Sequence, residues 1–486
     1  MRQFVESTRG VLGYSIKQTL SVVSMLLVFA ALHPVARGQV LARAADDSSQ
    51  SCTHVDLNFD PATNPQAFKG YEQTIAGLLK QEKFAEIDCL ADSLRASKAR
   101  FSGGAFKLHK LYGGLGEPMP GHPTEVDWHA HFDHLNRWVS ENPRSIAARI
   151  ALADSYVSYG WAARGNGYSD SVSDTGWKLF GERMDKAREV LEGATKLPTK
   201  DPEWYVVMQR VGRGKDWDDA QLQKVFEDAA AHYPEFEPYY RIRAVDKLPK
   251  WGGTDGEATR FAEQAADRMG GSAGDILYFQ IATEIVCACV DPEFHHMSWP
   301  RLQKGFEALQ AQYGESLFNW NVMALMAIEA QDPVVADAAF KHVGETWDRD
   351  TWRTVEWFHQ QREWATQFAP LEARRRGIRA EAAANLQAPE GVAYKREFDR
   401  KFAAIQDLCA QKAGSDREKF EFLVKVDKTG TAEDIYFTRP TAMAGCIAQA
   451  LFAARSQNKA LFPVPPHDHY WVPLEIDPAV VNTAAK

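Results

Sequence analysis

The sequence predicts a mainly α-helical protein, a solenoid of helical hairpins followed by a small C-terminal α+β domain. Three observations carry this. Apolar residues recur at helical spacing across the middle of the chain, with Ile146, Ile150, Ala153, Val157 and Trp161 as the clearest series. The breaks at Pro143, Pro234 and Gly314 lie 91 and 80 residues apart, close to two units each of a repeat of about 40–45 residues. After Phe420 the period changes from 3.6 to 2. The 486 residues allow two to four domains at about 100–200 residues each. At 45% hydrophobic and 25% charged, the composition excludes a disordered or fibrous chain.

Residues 1–38 read as a secretory signal. Arg2, Arg9 and Lys17 precede an apolar run from Leu20 to Leu32, and small residues follow. At 13 residues the run is short of the ~20 a spanning helix needs, and Ala36-Arg37-Gly38 or Ala42-Arg43-Ala44 suits a signal peptidase. The alternative is an uncleaved anchor, from which alone membrane contact would follow, but Lys17 and Gln18 sit badly in lipid. Cleavage removes four cations and only Glu6 among acids from a chain of formal charge −9. The acidity, with no basic cluster, excludes an autonomous nucleic-acid binder.

Residues 39–123 form an N-terminal helical and loop region, with a helix pair at 66–79 and 83–97 and a glycine-rich connector after it. Residues 124–368 hold thirteen of the fourteen tryptophans and read as the repeat domain. Besides the series above, Leu222, Phe226, Ala229 and Tyr233, then Leu302, Phe306, Leu309 and Tyr313, then Phe318, Val322 and Met326 each line a helix face. Short breaks at Asn142-Pro143, Tyr233-Pro234-Glu235 and Tyr313-Gly314 join them into hairpins, a degenerate tetratricopeptide-like array with a concave face open to a partner. An irregular bundle without a groove is the alternative. Residues 369–389 form a charged linker helix ending at Pro389. Within 390–486, Phe420, Phe422, Val424 and Val426 alternate with mainly charged residues, Gly430 supplies a turn with positive φ, and Ile435 to Thr438 makes a second strand. Met443, Ile447, Leu451 and Ala454 make a helix and Tyr470, Val472, Leu474 and Ile476 a third strand, giving ββαβ.

An exported chain with six cysteines predicts disulfides. Clustering favours Cys52 with Cys89 and Cys409 with Cys446, whereas Cys287 and Cys289, two apart, do not face each other on a helix: either the helix ends there and a strained local bridge forms, or the two thiols are free or pair elsewhere.

Two aromatic-glycine loops are the candidate ligand-binding sites. In the first, Tyr159, Trp161, Arg164 and Tyr168 surround glycines at a helix end, where Arg164 can hold a carboxylate or stack on a ring. Helix termination with Arg164 capping carbonyls accounts for the same residues. In the second, Lys250 and Trp251 precede Gly252-Gly253, and stacked hairpins would place this loop beside the first. His129, His131 and His134 are weak metal candidates, since only the latter two share a helix face. No sequence motif for nucleotide, zinc-protease or serine-hydrolase chemistry is present and no cofactor is indicated.

In two places the residues resemble known families. Ala148-Arg149-Ile150-Ala151-Leu152-Ala153, Tyr159-Gly160-Trp161-Ala162-Ala163-Arg164-Gly165, Asp201-Pro202-Glu203-Trp204-Tyr205, Pro249-Lys250-Trp251-Gly252-Gly253 and Gly274-Asp275-Ile276-Leu277-Tyr278 stand in the order seen in DUF4034. This bacterial family of unknown function implies a helical-repeat fold. The run from Phe422 to Gly430 and Phe462-Pro463-Val464-Pro465-Pro466 resemble the C-terminal domain of TonB-type proteins. That resemblance implies a periplasmic protein-binding module. The expected function is therefore a periplasmic or secreted interaction protein whose helical array grips a protein or peptide and whose TonB-like module docks a second envelope component. The alternative is a helical enzyme, possibly metal-dependent, that acts on a small polar substrate through the histidine cluster or the Arg164 loop.

Overall fold

The computed structural model describes residues 52–119, 121–165, 167–287, 292–410, 418–438 and 440–478. The expected signal at 1–38 and Cys289 lie outside them, as does the side chain of Cys287. The described chain divides into two compact units, one running to Ala369 and one starting at Pro370.

The first unit is a succession of helices: α1 (Ala67–Lys80), α2 (Phe84–Ser97), α3 (Lys107–Gly113), α4 (Glu125–Glu141), α5 (Ile146–Arg164), α6 (Asp174–Ala194), α7 (Glu203–Gly214), α8 (Asp219–His232), α9 (Pro238–Asp246), α10 (Glu257–Met269), α11 (Gly271–Cys287), α12 (Trp299–Tyr313), α13 (Leu317–Glu329), α14 (Pro333–Val343) and α15 (Arg349–Trp352). Local chemistry sets their ends. Ser145 and Ser173 accept backbone N–H groups at the starts of α5 and α6. Thr124 with Asp127, and Asp218 with Gln221, form reciprocal caps on α4 and α8. Gly314 stops α12 with φ of 83°.

Packing follows a two-row scheme. Chain neighbours pack together, as α5 does with α6, α10 with α11 and α13 with α14, while α3, α5, α7, α9, α11 and α13 touch one another in succession. Stacked hairpins give this pattern, and it explains why α5 is apolar nearly all round. Held between neighbours, it buries Ile146, Ala148, Ile150, Ala151, Leu152, Ala153, Val157 and Gly160. The hydrophobic core continues from Leu57 to Ala365, with Trp138 and Trp352 fully buried. Cys52 and Cys89 are bonded, which ties the segment before α1 to α2.

Helix α16 (Val355–Asn385) contributes its first part to this unit and its last part to the second. The linker helix expected at 369–389 is therefore the end of a longer helix, and Ile378 and Ala382 on it pack against Leu423 and Trp471. The second unit adds α17 (Pro389–Ala410), β1 (Phe420–Val426), β2 (Ala432–Phe437), α18 (Ala442–Ser456) and β3 (Tyr470–Ile476). The sheet order is β2-β1-β3, antiparallel throughout, with Phe422 opposite both Phe437 and Leu474. Strand β1 is central and buried, whereas β2 is half-exposed at the edge. Gly430 turns the β1–β2 hairpin at φ of 85°, and its carbonyl accepts N–H from Leu461 and Phe462. Cys409 and Cys446 are bonded, tying α17 to α18.

Candidate functional site

The odd-numbered row carries a strip of charge that ends in exposed tryptophan. Its centre is α7, where Glu203, Arg210 and Arg213 are seven and three residues apart and so share a face. Each meets a partner from another helix of the row. Both Oε atoms of Glu203 lie 2.9–3.0 Å from Nδ1 of His109 on α3. Arg210 pairs with Asp154 on α5. Arg213 donates through Nε to Asp246 at 2.6 Å, beside Arg241 on α9, which pairs with Glu284 on α11 at 2.6 Å.

Burial governs the electrostatics. Glu203 is 3% exposed, and burial, followed by the charges of Asp154 and Asp201, pushes its carboxyl well up. Burial also brings the His109 imidazole down to about 4. Both shifts favour the uncharged forms of the pair, which avoids holding two charges out of water. The His109 side chain is still 32% exposed, and its Nε2 has no partner among the described residues. Burial raises Glu284, but the charge and hydrogen bond of Arg241 outweigh it and hold that carboxyl below its ordinary range.

At one end of the strip the two loops predicted to bind ligand come together. Trp161 and Trp251, ninety residues apart, meet edge to face with ring centroids 5.8 Å apart. The Arg213 guanidinium lies 5.2 Å from the Trp251 ring. The Arg164 guanidinium lies 5.2 Å from Trp161 and 5.1 Å from Trp177 on α6. Arg164 donates to the carbonyls of Gly165 and Gly167, just past the end of α5, and its guanidinium stands near two rings. Trp177 and Trp251 remain 39% and 37% exposed, and Tyr168 and Lys250 are exposed.

Tyr159 does not join this cluster. Two residues before Trp161, it points to another side of α5, bonds Glu125 through its hydroxyl and stacks near Trp128 with centroids 4.8 Å apart. The Arg183 guanidinium covers its ring at 3.1 Å and donates to its carbonyl.

The three histidines of α4 are not gathered either. His129 is exposed, and His134 pairs with Glu82 at 3.0 Å. His131 turns into the core, where Nε2 donates to the Leu115 carbonyl at 3.0 Å beside the Ser155 hydroxyl. Among the described residues, a three-ligand grouping occurs instead at Asp255, Glu293 and His296. There both Glu293 oxygens already accept N–H groups, from Gly256 and Thr259.

The position of His131 makes stability depend on pH. Burial brings its imidazole from 6.5 down to about 4. The unfolded chain thus takes up a proton near pH 6.5 that the fold resists until about 4, and stability falls as pH falls through that window. The expected loss is about 3 kcal/mol, read as a declining urea midpoint between pH 7 and pH 4. His131→Gln should flatten that decline, and an unchanged slope in the variant would contradict the assignment.

The strip was missed in the sequence because its members pair across helices. The signal that could have found it is a pair of arginines, Arg210 and Arg213, on a helix that is otherwise largely apolar and begins with an acid.

No protein-family model matches this chain, and no curated protein matches it. Among solved structures the chain is similar to the crystal structure of yeast Tom70, at 13% sequence identity over 66% of this chain and 61% of that one, with a TM-score of 0.30. The chain spans less than two thirds of that neighbour, and likeness at this level assigns neither a fold family nor an activity.

Proposed function

We propose that this is an exported bacterial interaction protein whose helical unit binds a protein or peptide along the α7 strip, anchored at Trp161 and Trp251. The observation that carries this reading is the meeting of those two rings, half-exposed and flanked by Arg164 and Arg213. Tryptophan and arginine dominate the energetics of protein interfaces, because each combines a large contact area with directed polar groups. Of the neighbouring ion pairs, the Arg210, Arg241 and Glu284 side chains keep 27–35% exposure and so offer both signs of charge at fixed positions, which suits the alternating groups of a peptide. The second unit, with its resemblance to TonB C-terminal domains, is the candidate dock for a second envelope component. Export is supported by the leader pattern and by two bonded cysteine pairs.

Truncating Trp251 and the arginine that flanks Trp161 tests the proposal. Arg164→Ala/Trp251→Ala is expected to abolish partner binding while circular dichroism stays unchanged, and full binding by this variant would refute the reading. A second reading, acid–base chemistry in a helical enzyme, is favoured by one observation: the His109 imidazole sits against a buried acid with its other edge accessible.

A further inference from the structure

Away from the strip, α8 and α10 enclose a cavity of about 340 Å³, lined by Gln223, Phe226, Lys247, Arg260, Phe261 and Arg268 together with Glu257, Gln264 and Ala265. The α10 contributors fall three or four residues apart and share one helix face. Its apolar wall is built from Phe226 and Phe261, whose rings meet edge to face at 5.1 Å.

The charge of this cavity is unbalanced. Lys247 pairs with Glu257, the acid of the lining, at 2.9 Å and with Asp219 at 2.6 Å. Asp219 also receives Arg243, which lies behind the wall and donates to the cavity residue Gln223 at 3.2 Å. Arg243 is fully buried; its Nε and Nη1 make no hydrogen bond, and Nη1 lies 4.0 Å from the Asp246 carboxylate. Arg260 reaches only the Asp255 carbonyl and the Thr254 hydroxyl. Neither Arg260 nor Arg268 has an acidic partner among the described residues. Two guanidinium groups with unused donors thus stand at the rim of a partly aromatic hollow, backed by a third that is buried.

We propose that this cavity is a binding site for a small organic anion, a carboxylate or phosphate carried on an apolar body. The guanidinium groups of Arg260 and Arg268 hold the head group, and Phe261, backed by the buried Phe226, takes the apolar part. The proposal is independent of the interaction reading, since none of these residues belongs to the strip.

The test is titration calorimetry of the whole chain with three probes: phenyl phosphate, benzoate and inorganic phosphate. The expected result is that phenyl phosphate or benzoate binds, the tighter of the two identifying the head group, and that inorganic phosphate binds at least tenfold more weakly. Arg260→Ala/Arg268→Ala, at two exposed positions whose loss leaves the core intact, should weaken the organic anion at least tenfold. Absence of binding by both organic probes, equal binding by the variant, or inorganic phosphate binding as tightly as phenyl phosphate would overturn the proposal.

Discussion

Asp201→Ala is expected to lower the unfolding free energy of the helical unit by about 3–5 kcal/mol, the range for removing one partner of a buried ion pair. Asp201 is 2% exposed and serves three donors at once. Its Oδ2 accepts Nε of Arg95 at 2.8 Å and the Tyr112 hydroxyl at 2.7 Å, and its Oδ1 accepts the N–H of Glu203 at 2.9 Å. The carboxylate thus joins α2 and α3 to the start of α7, and it fixes the residue that faces His109. Without it the Arg95 guanidinium keeps, among the described residues, only Asp92 as an acidic partner, and a buried hydroxyl is left unsatisfied. Asp201→Asn, which retains acceptor capacity but loses the charge, should fall between wild type and alanine. Urea unfolding followed by far-ultraviolet circular dichroism measures both. Equal midpoints for wild type and Asp201→Ala would show that the carboxylate does not hold these helices together.

Opening the Cys409–Cys446 bond should destabilise the second unit by a similar amount. The bond closes a segment with a sequence separation of 37, and the loss of loop-closure entropy from the unfolded chain is worth about 4 kcal/mol at that length. The effect should be large because this unit is small, with a three-stranded sheet whose core draws on Phe398 and Phe402 from α17 and Ile447 and Leu451 from α18. The bond is what joins those two helices covalently. Hydrogen exchange of the β1 and β3 amides reads the effect locally: in Cys409→Ser/Cys446→Ser their protection should collapse, while amides of α5 and α13 are unaffected. Unchanged protection in the sheet would mean that packing alone sustains the unit.

Local patterns were legible in the sequence and long-range pairings were not. The Ile146 to Trp161 series became α5, and the alternation from Phe420 to Val426 became the central strand, because each period reports which face of one element is buried. The two disulfides could be read because each joins neighbouring segments. Trp161 and Trp251 were legible as loops of one character, though their contact depended on how the hairpins stack. The His109–Glu203 and Asp154–Arg210 pairs, 94 and 56 residues apart, left no periodic trace. The α4 histidines show the converse difficulty. The i, i+3 rule places His131 and His134 on one side of a helix, but it does not say that the core will claim the first while Glu82 claims the second. Likewise the charged composition of 369–389 suggested a separate linker, although Ile378 and Ala382 supply enough apolar surface to seat that stretch on the sheet.

The central claim, that the Trp161–Trp251 contact and its flanking arginines anchor a partner, is tested most directly by affinity capture from a cell-envelope extract. The wild-type chain without residues 1–38 and the same chain carrying Arg164→Ala/Trp251→Ala serve as paired baits under identical salt. A partner that is retained stoichiometrically by wild type and lost from the variant is the predicted result. Recovery of the same partner in equal amount by both baits would contradict the account.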